Sequence, residues 1–549
     1  MEAQEISVDV LIIGSGPIGA TFASRLVDGN RKVLMIDAGA QQSARFGAHQ
    51  KNAFLFQRNI DLFVSVIRGH LSTVSVPTRD DPPLTLDPSA FRFDPEKYPG
   101  FIKNGQNPEQ NKHRNLDACA STYAVGGMAT HWTCATPQFH ENLELNWTSD
   151  TGVVHQYPIG IEEMKNYYKT AKDIIKTNST AFDASVRHQL VRTVLKEEGY
   201  PIESLPLAVE RRTDNPEFVT WSGTDTVLGD LADPAAQDEN RFRLWPEHQC
   251  TELVMNADRT EVQYARVWDL NDWNKEYRVV AQHYIVACNA VLTPQLLHAS
   301  GFDEDRLPAL GRYVTEQPMS FCQVVLHQRL VDDIKKYLDP DYDGAERIDA
   351  YRREHPQDPV PIPINEPEPN LWLPVTESTP WHCQIHRDAF SYGDLAPDVD
   401  PRLIVDLRWF GLTRPRSENR VTFSATVKDT FGMPQPTFSF SLSKKERAQA
   451  GRMMQHMTEV ASYLGGYLPG SEPQFVKPGL PLHIAGTTRM GLDQETSVVD
   501  TCSKVHGTTN LYLGGNGLHP SGNAANPTLT SMAMALRSAE AILDPRSCP

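Results

Sequence analysis

Cysteine is scarce. Eight stand singly among 549 residues, at Cys119, Cys134, Cys250, Cys288, Cys322, Cys383, Cys502 and Cys548. That density excludes a disulfide scaffold, and without a C-x-x-C pair a zinc ribbon or thioredoxin-like site has no footing. No other spacing points to a metal. Positive charge is also short, with 52 basic against 69 acidic residues and a formal net charge of −17. Nucleic acid and anionic membrane surfaces are thereby excluded as main partners. The first residues, Met-Glu-Ala-Gln-Glu, are acidic where a secretory leader is basic. The expected address is therefore intracellular, or secretion by a non-standard route. No uninterrupted apolar run is long enough for a membrane span: residues 8–27 contain Asp9, Pro17 and Arg25. The sequons at Asn146 and Asn178 read as chance matches. There is no internal repeat and no low-complexity tract.

Hydrophobic residues are plentiful at 40%, as are Pro (40) and Gly (34). The length exceeds a usual domain of about 150 residues more than threefold. Residues 8–13 (VDVLII) read as a buried parallel strand. Gly14-Ser15-Gly16-Pro17-Ile18-Gly19 follows, then a helix over 20–26, then a strand over 32–36 ending in Asp37. In a strand–turn–helix of this kind the first glycine permits the turn. The second admits a pyrophosphate and the third lets helix and strand pack. The helix N-terminus offers free N–H groups to phosphate, and the acid accepts from ribose hydroxyls. The motif predicts a dinucleotide and does not by itself separate FAD from NAD.

Three remote segments carry more. Residues 123–137 (YAVGGMATHWTCATP) hold the Gly126-Gly127 pair and the string Thr130-His131-Trp132-Thr133-Cys134. Residues 283–302 (HYIVACNAVLTPQLLHASGF) read as a strand over 284–287, a turn at Cys288, and a helix capped by Thr293 with Pro294 in its first turn. Residues 511–530 (LYLGGNGLHPSGNAANPTLT) read as a strand, a turn at Gly515-Asn516, and a helix opened by Asn526-Pro527 and running to about Leu543. On residues alone, His131 is as readily a buried, hydrogen-bonded histidine as a ligand. Likewise His483, in PGLPLHIAGTTRMG, is more readily core, and Asn526 before Pro527 is a good helix cap.

These strings, with GAHQKN, PQDPVPIP, HRDAFSYG, MPQPTF and ANPTLTSMA, resemble the glucose-methanol-choline oxidoreductases, and within them the branch that oxidises pyranose sugars. The likeness is strongest over 7–137, 281–330 and 360–540. It implies an α/β (α+β overall) chain, with a Rossmann-like FAD-binding domain and an interleaved substrate-binding domain on a largely antiparallel sheet. The implied FAD-binding domain takes 1–60, 105–140, 245–315 and 475–549. Residues 61–104 form an arm towards a neighbouring subunit. The substrate-binding domain takes 141–244 and 316–474. Its strands near 403–410 and 420–424 form a sheet facing the flavin, and its head near 330–359 is shorter than in fungal members.

The resemblance further implies FAD held covalently through His131. Cofactor contacts fall to Gly14, Gly16, Gly19, Asp37, Gly126, Gly127, Thr130, Trp132, Thr133, Cys134, Cys288, Gly515, Asn516, Pro527 and Thr528. Thr133 is expected on the same face of an extended strand as His131. His483 is implied as the base and Asn526 as its partner. Gln384, Asp388 and Arg408 are implied as sugar contacts, with Phe390 and Tyr392 on a gating loop. His519 is expected outside the site, behind it or at the surface. The implied reaction oxidises the C2 hydroxyl of an aldopyranose such as D-glucose, with hydride passing to flavin N5 and on to O2 or a quinone. A homo-oligomer, dimer or tetramer, is expected. Two other readings stand beside it: a glycoside or sugar 3-oxidoreductase on the same fold, and a flavin-binding sensor or scaffold without turnover; Pro481, where the family usually has a β-branched residue, bears on the oxidised carbon or the preferred sugar.

Overall fold

β1 (Gln4–Ile13) is buried from Val10 onward, as a central strand covered on both faces must be. It leads through the glycine turn into α1 (Pro17–Asp28) and β2 (Val33–Ile36). β3 (Phe242–Trp245), β4 (His248–Met255), β5 (Val262–Asp269) and β6 (Glu276–Val286) join them in a seven-stranded sheet of order β3-β2-β1-β6-β5-β4. A seventh strand, Leu511–Leu513, lies beside the end of β6. The pairs β3–β2, β2–β1 and β1–β6 are parallel, and β5 and β4 return antiparallel. The computed structural model describes residues 3–75, 107–149, 152–272, 274–364, 366, 369–387 and 399–548.

Of the stretch 141–244, expected with the substrate domain, α2 (Ile161–Ile175) buries Met164, Tyr168, Ala171 and Ile175 in the same core as this first sheet. Its apolar stripe at helical spacing needs an apolar partner, and the helices beside the nucleotide sheet supply it. The expected arm begins with a helix at Ile60–His70 and a strand at Leu71–Thr73. Of the rest of the arm, 76–104 lies outside the described residues.

After β6 the chain enters α3 (Asn289–Ala299), four residues earlier than the Thr293 cap read from sequence. Asn289 adopts φ +66 and its side-chain oxygen accepts from Val291 N and Leu292 N, so it does the capping. Pro294 therefore sits inside the helix, where it cannot donate to the Ala290 carbonyl. The Thr487 hydroxyl takes that carbonyl instead.

The second large sheet contains β7 (Met319–Leu326), β8 (Asn370–Leu373), β9 (Trp381–His386) and β10 (Ile404–Gly411) in the order β7-β10-β9-β8, all antiparallel. Alternation gives it two different faces. Cys383, Ile385, Leu407 and Trp409 face a core shared with Met453, Met457 and Leu464 of α4 (Lys444–Leu464). His382, Gln384, His386, Asp406, Arg408 and Phe410 occupy the opposite face, and all are buried. The strand expected near 420–424 does not join this sheet. It is part of β11 (Arg420–Lys428), which pairs with β12 (Pro434–Ser439) in a separate two-stranded sheet. The backbone leaves β10 through a connection containing Pro415, which cannot donate to a ladder.

The final helix, α5 (Thr528–Leu543), packs against α1 and α2. Cys502 and Cys548 form a disulfide, a pairing the isolated cysteines gave no reason to expect. Among the described residues, no helix is long and apolar enough to cross a membrane.

Candidate active site

One cavity of about 330 Å³, within the size range of small-molecule sites, reaches from the glycine turn after β1 to His483 and Asn526. At its first end Gly14 adopts φ +105, and a Cβ there would meet the Ala287 carbonyl at 2.5 Å. Only glycine suits both conditions. Gly16 is the N-cap of α1, which has no side-chain cap, and Gly16, Pro17 and Ile18 line the cavity at this helix end. Gly19 does not line the cavity. It packs on the Gly14 carbonyl, as the close helix–strand contact requires.

Asp37 lines the cavity while its Oδ2 accepts from Ser15 N at 2.9 Å and Ser15 Oγ at 2.6 Å. Burial raises its pKa against these hydrogen bonds. Ser15 Oγ in turn accepts from Gly126 N at 2.8 Å, so the second glycine segment is fastened to the first. An uncapped helix end, a buried acid after β2 and an elongated apolar-walled cavity are the features that a dinucleotide such as FAD requires.

The 123–137 segment divides. Gly127, His131, Trp132 and Thr133 line the cavity. Gly126, Thr130 and Cys134 do not. Gly126 supports the turn at φ +96 against Gly47, Thr130 Oγ1 donates to Gly127 O, and Cys134 Sγ–H donates to Ser222 O. No strand forms at 131–133: the segment leaves a 3-10 turn (Gly127–Thr130), so consecutive residues reach the cavity rather than alternate ones. His131 is 4% exposed, its Nε2 lies 2.9 Å from Thr122 Oγ1, and burial pushes its pKa down to about 3. Its ring is neutral across the physiological range. Cys288 lines the cavity with its thiol donating to Ile13 O. Gly515, Asn516, Pro527 and Thr528 line the far wall.

His483 and Asn526 meet there. Asn526 Nδ2 lies 3.2 Å from His483 Nε2. Asn526 does not cap α5, contrary to its best local reading. Pro527 holds the cap position, and Asn526 Oδ1 accepts from Gln384 Nε2 at 2.7 Å. Gln384 Nε2 also reaches His382 Nε2 at 2.8 Å. With both amide hydrogens engaged, only the Gln384 oxygen is free to meet a ligand. Arg408 stands opposite Gln384 in the β9–β10 register and lines the cavity with Phe410. Burial lowers the His483 pKa to about 4, so its ring too is neutral near pH 7. Asp388, Phe390 and Tyr392 lie outside the described residues.

His519 is fully buried, which excludes the surface position; it lies between Tyr157 Oη at 3.1 Å and Ser531 Oγ at 2.9 Å. Three residues absent from the sequence reading support the pair. Gln317 Oε1 is 2.8 Å from His483 Nδ1. Glu316 Oε2 accepts from His483 N at 3.2 Å. Glu144 Oε1 accepts from Ala524 N and Ala525 N, just before Asn526. Burial pushes the Glu316 pKa up to about 8. None has a motif or period to announce it.

Comparison with known proteins bears on this geometry. The GMC oxidoreductase family models match residues 9–319 and 415–535. A pyranose 2-oxidase of Tricholoma matsutake is 44% identical over 97% of this chain and 93% of its own. A C-glycoside 3-oxidase of Microbacterium trichothecenolyticum is 30% identical over 98% and 96%. Among solved structures, the formate oxidase of Aspergillus oryzae superposes with a TM-score of 0.61 at 13% identity, covering 100% of this chain and 99% of its own, which establishes the fold. By family models that span most of its length and relatives that span nearly all of it, the chain belongs to the GMC oxidoreductases, whose cofactor is FAD.

Proposed function

We propose that this enzyme oxidises the C2 hydroxyl of aldopyranoses such as D-glucose to a 2-keto sugar, with O2 reduced to H2O2 or a quinone reduced in its place. The observation that carries the reading is the His483–Asn526 pair at 3.2 Å, in the same cavity as the nucleotide-type turn. Gly14, Gly16 and Asp37 would hold the phosphate–ribose end of FAD, and Gly515, Asn516, Pro527 and Thr528 the other end. FAD, when bound, supplies the acceptor for the hydride that leaves C2.

The protein residues supply the rest. His483 is neutral, and its Nε2 lone pair takes the hydroxyl proton. Asn526 Nδ2 donates to the same substrate oxygen, so the oxygen is held while its proton leaves. Gln384 offers a carbonyl acceptor and Arg408 a set of donors to other hydroxyls. Burial of this whole face excludes water from the charge that develops. We further propose covalent attachment of FAD through His131, whose buried ring lines the cavity and is neutral. Acid-precipitated enzyme should retain its yellow colour in the pellet, and the His131→Ala protein should lose it to the supernatant.

Exposed Phe54 and Leu55, beside the segment that begins the arm, support a homo-oligomer; light scattering would give its size. The rival regiochemistry is oxidation at C3, the activity named in the 30%-identical relative, against C2 in the 44%-identical one. NMR of the product decides: a 3-keto product overturns the first reading. Anaerobic mixing with a sugar panel tests turnover itself. A flavin band that bleaches with none of them leaves only a binding protein.

A further inference from the structure

We propose that Gln317 is a positioning residue: it holds the proton of His483 on Nδ1 and so keeps the basic lone pair on Nε2, facing Asn526. The inference rests on His483 as the base. Gln317 lies just before β7 and is buried. Its amide has only one orientation that satisfies its neighbours. Nε2 donates to Asn523 O at 3.0 Å and to Ala525 O at 3.3 Å. Both partners are carbonyls, so the amide nitrogen must be on that side, and Oε1 must face the ring. The ring nitrogen 2.8 Å away, Nδ1, is then the donor. A neutral imidazole with hydrogen on Nδ1 has its lone pair on Nε2.

One side chain thus touches both halves of the pair. It fixes the tautomer of His483 and grips the loop at 523–525 that ends in Asn526. Glu316 completes the hold through the backbone, with Oε1 accepting from Gln317 N and Oε2 from His483 N. The choice of an amide at 317 has a chemical meaning. A carboxylate there would accept the same proton from Nδ1, but it would also favour the imidazolium and oppose the two carbonyls. The amide fixes the tautomer without raising the basicity. The other titratable or charged groups facing His483 are few: Glu316, which burial keeps protonated near neutrality; His382, a neutral ring linked through Gln384; and Arg408 and His131, which share the cavity.

The experiment is anaerobic stopped-flow reduction of the FAD-loaded enzyme by D-glucose across pH, in wild type, Gln317→Glu and Gln317→Leu. In Q317E the acid limb of the reduction rate should move up by about one to two pH units, as a carboxylate beside an imidazole does. In Q317L the rate should fall by about 10²-fold or more, towards the ~10⁴-fold loss of a wrong histidine tautomer, with the apparent sugar affinity within about threefold, since Q317L removes no group that meets the sugar. A residue that merely fills space would leave the acid limb in place. An unmoved limb in Q317E overturns the proposal, and so does an undiminished rate in Q317L. Either variant suffices alone if the other fails to load FAD. His483→Ala is the separate control: full reduction there would overturn the base assignment, while its loss together with an unmoved Q317E limb would overturn only the role of Gln317.

Discussion

His483 depends on its neighbours more than on its own position. It follows Leu482, a non-glycine residue at φ +60, and its backbone is fixed by a buried acid. His483→Ala should lower flavin reduction by sugar by about 10²-fold or more, read by stopped flow. His519→Ala should leave that rate within several-fold, because its partners Tyr157 and Ser531 lie behind the cavity wall; it should instead lower stability by about 1–3 kcal/mol through unsatisfied buried groups. Since burial holds His483 near pKa 4, the wild-type rate should hold from neutrality down to about pH 5 and fall below it. At this scale the sequence was informative where a motif marks a residue, as at His131, His483 and Asn526. Gln317, Glu316 and Glu144 act by gripping backbone or ring from distant segments. That role leaves no trace in local spacing, so only the fold could reveal it.

Among the elements, β9 and β10 show how a sheet can serve a core and a site together. Trp409 on one face is packed into the α4 core, and truncation to Ala should cost about 3–5 kcal/mol. Arg408, the next residue, lines the cavity, so Arg408→Met should chiefly raise the KM for sugar. A denaturation midpoint and a Michaelis curve on the two variants would separate these roles. α3 provides a second test. Thr487→Val leaves the Ala290 carbonyl without its partner beside Pro294 and should lower stability by about 1–3 kcal/mol, read in urea. The strand expected near 403–410 is β10, whereas β9 falls in a stretch read only as a substrate segment and loop. The start of α3 was not legible, because Thr293-Pro294 is an excellent cap signal that an asparagine in a left-handed turn pre-empted.

At the scale of the molecule, stability should follow pH with a calculable sign. His131, His382 and His519 are held near pKa 3 and His483 near 4, against 6.5 in an unfolded chain. The folded form therefore binds fewer protons below pH 6.5. The full contribution is present above that value and is lost as pH falls, towards 4 for His483 and towards 3 for the other three, by about 1.4 kcal/mol per unit for each group. Glu316, near 8, and Glu366, near 7, act oppositely above their ordinary 4.5, because the folded form keeps protons that the unfolded chain has shed. The lowered histidines outnumber the raised carboxylates, so Tm should fall as pH drops below 6.5, as differential scanning calorimetry would show. The architecture at this scale was legible from the interleaved motifs, since four glycine- or small-residue turns must converge on one ligand. The placement of the helix at 161–175 was not, because an amphipathic helix does not name the layer it will pack against.

The Cys502–Cys548 bridge has a mechanical consequence. Tension applied to the carboxyl-terminal end would enter the body at the 502 loop and bypass α5, whose first turn faces the cavity. In a single-molecule pull the oxidised chain should hide the 46-residue span between the two cysteines, roughly 160 Å of contour at about 3.5 Å per residue, and a reductant should restore it.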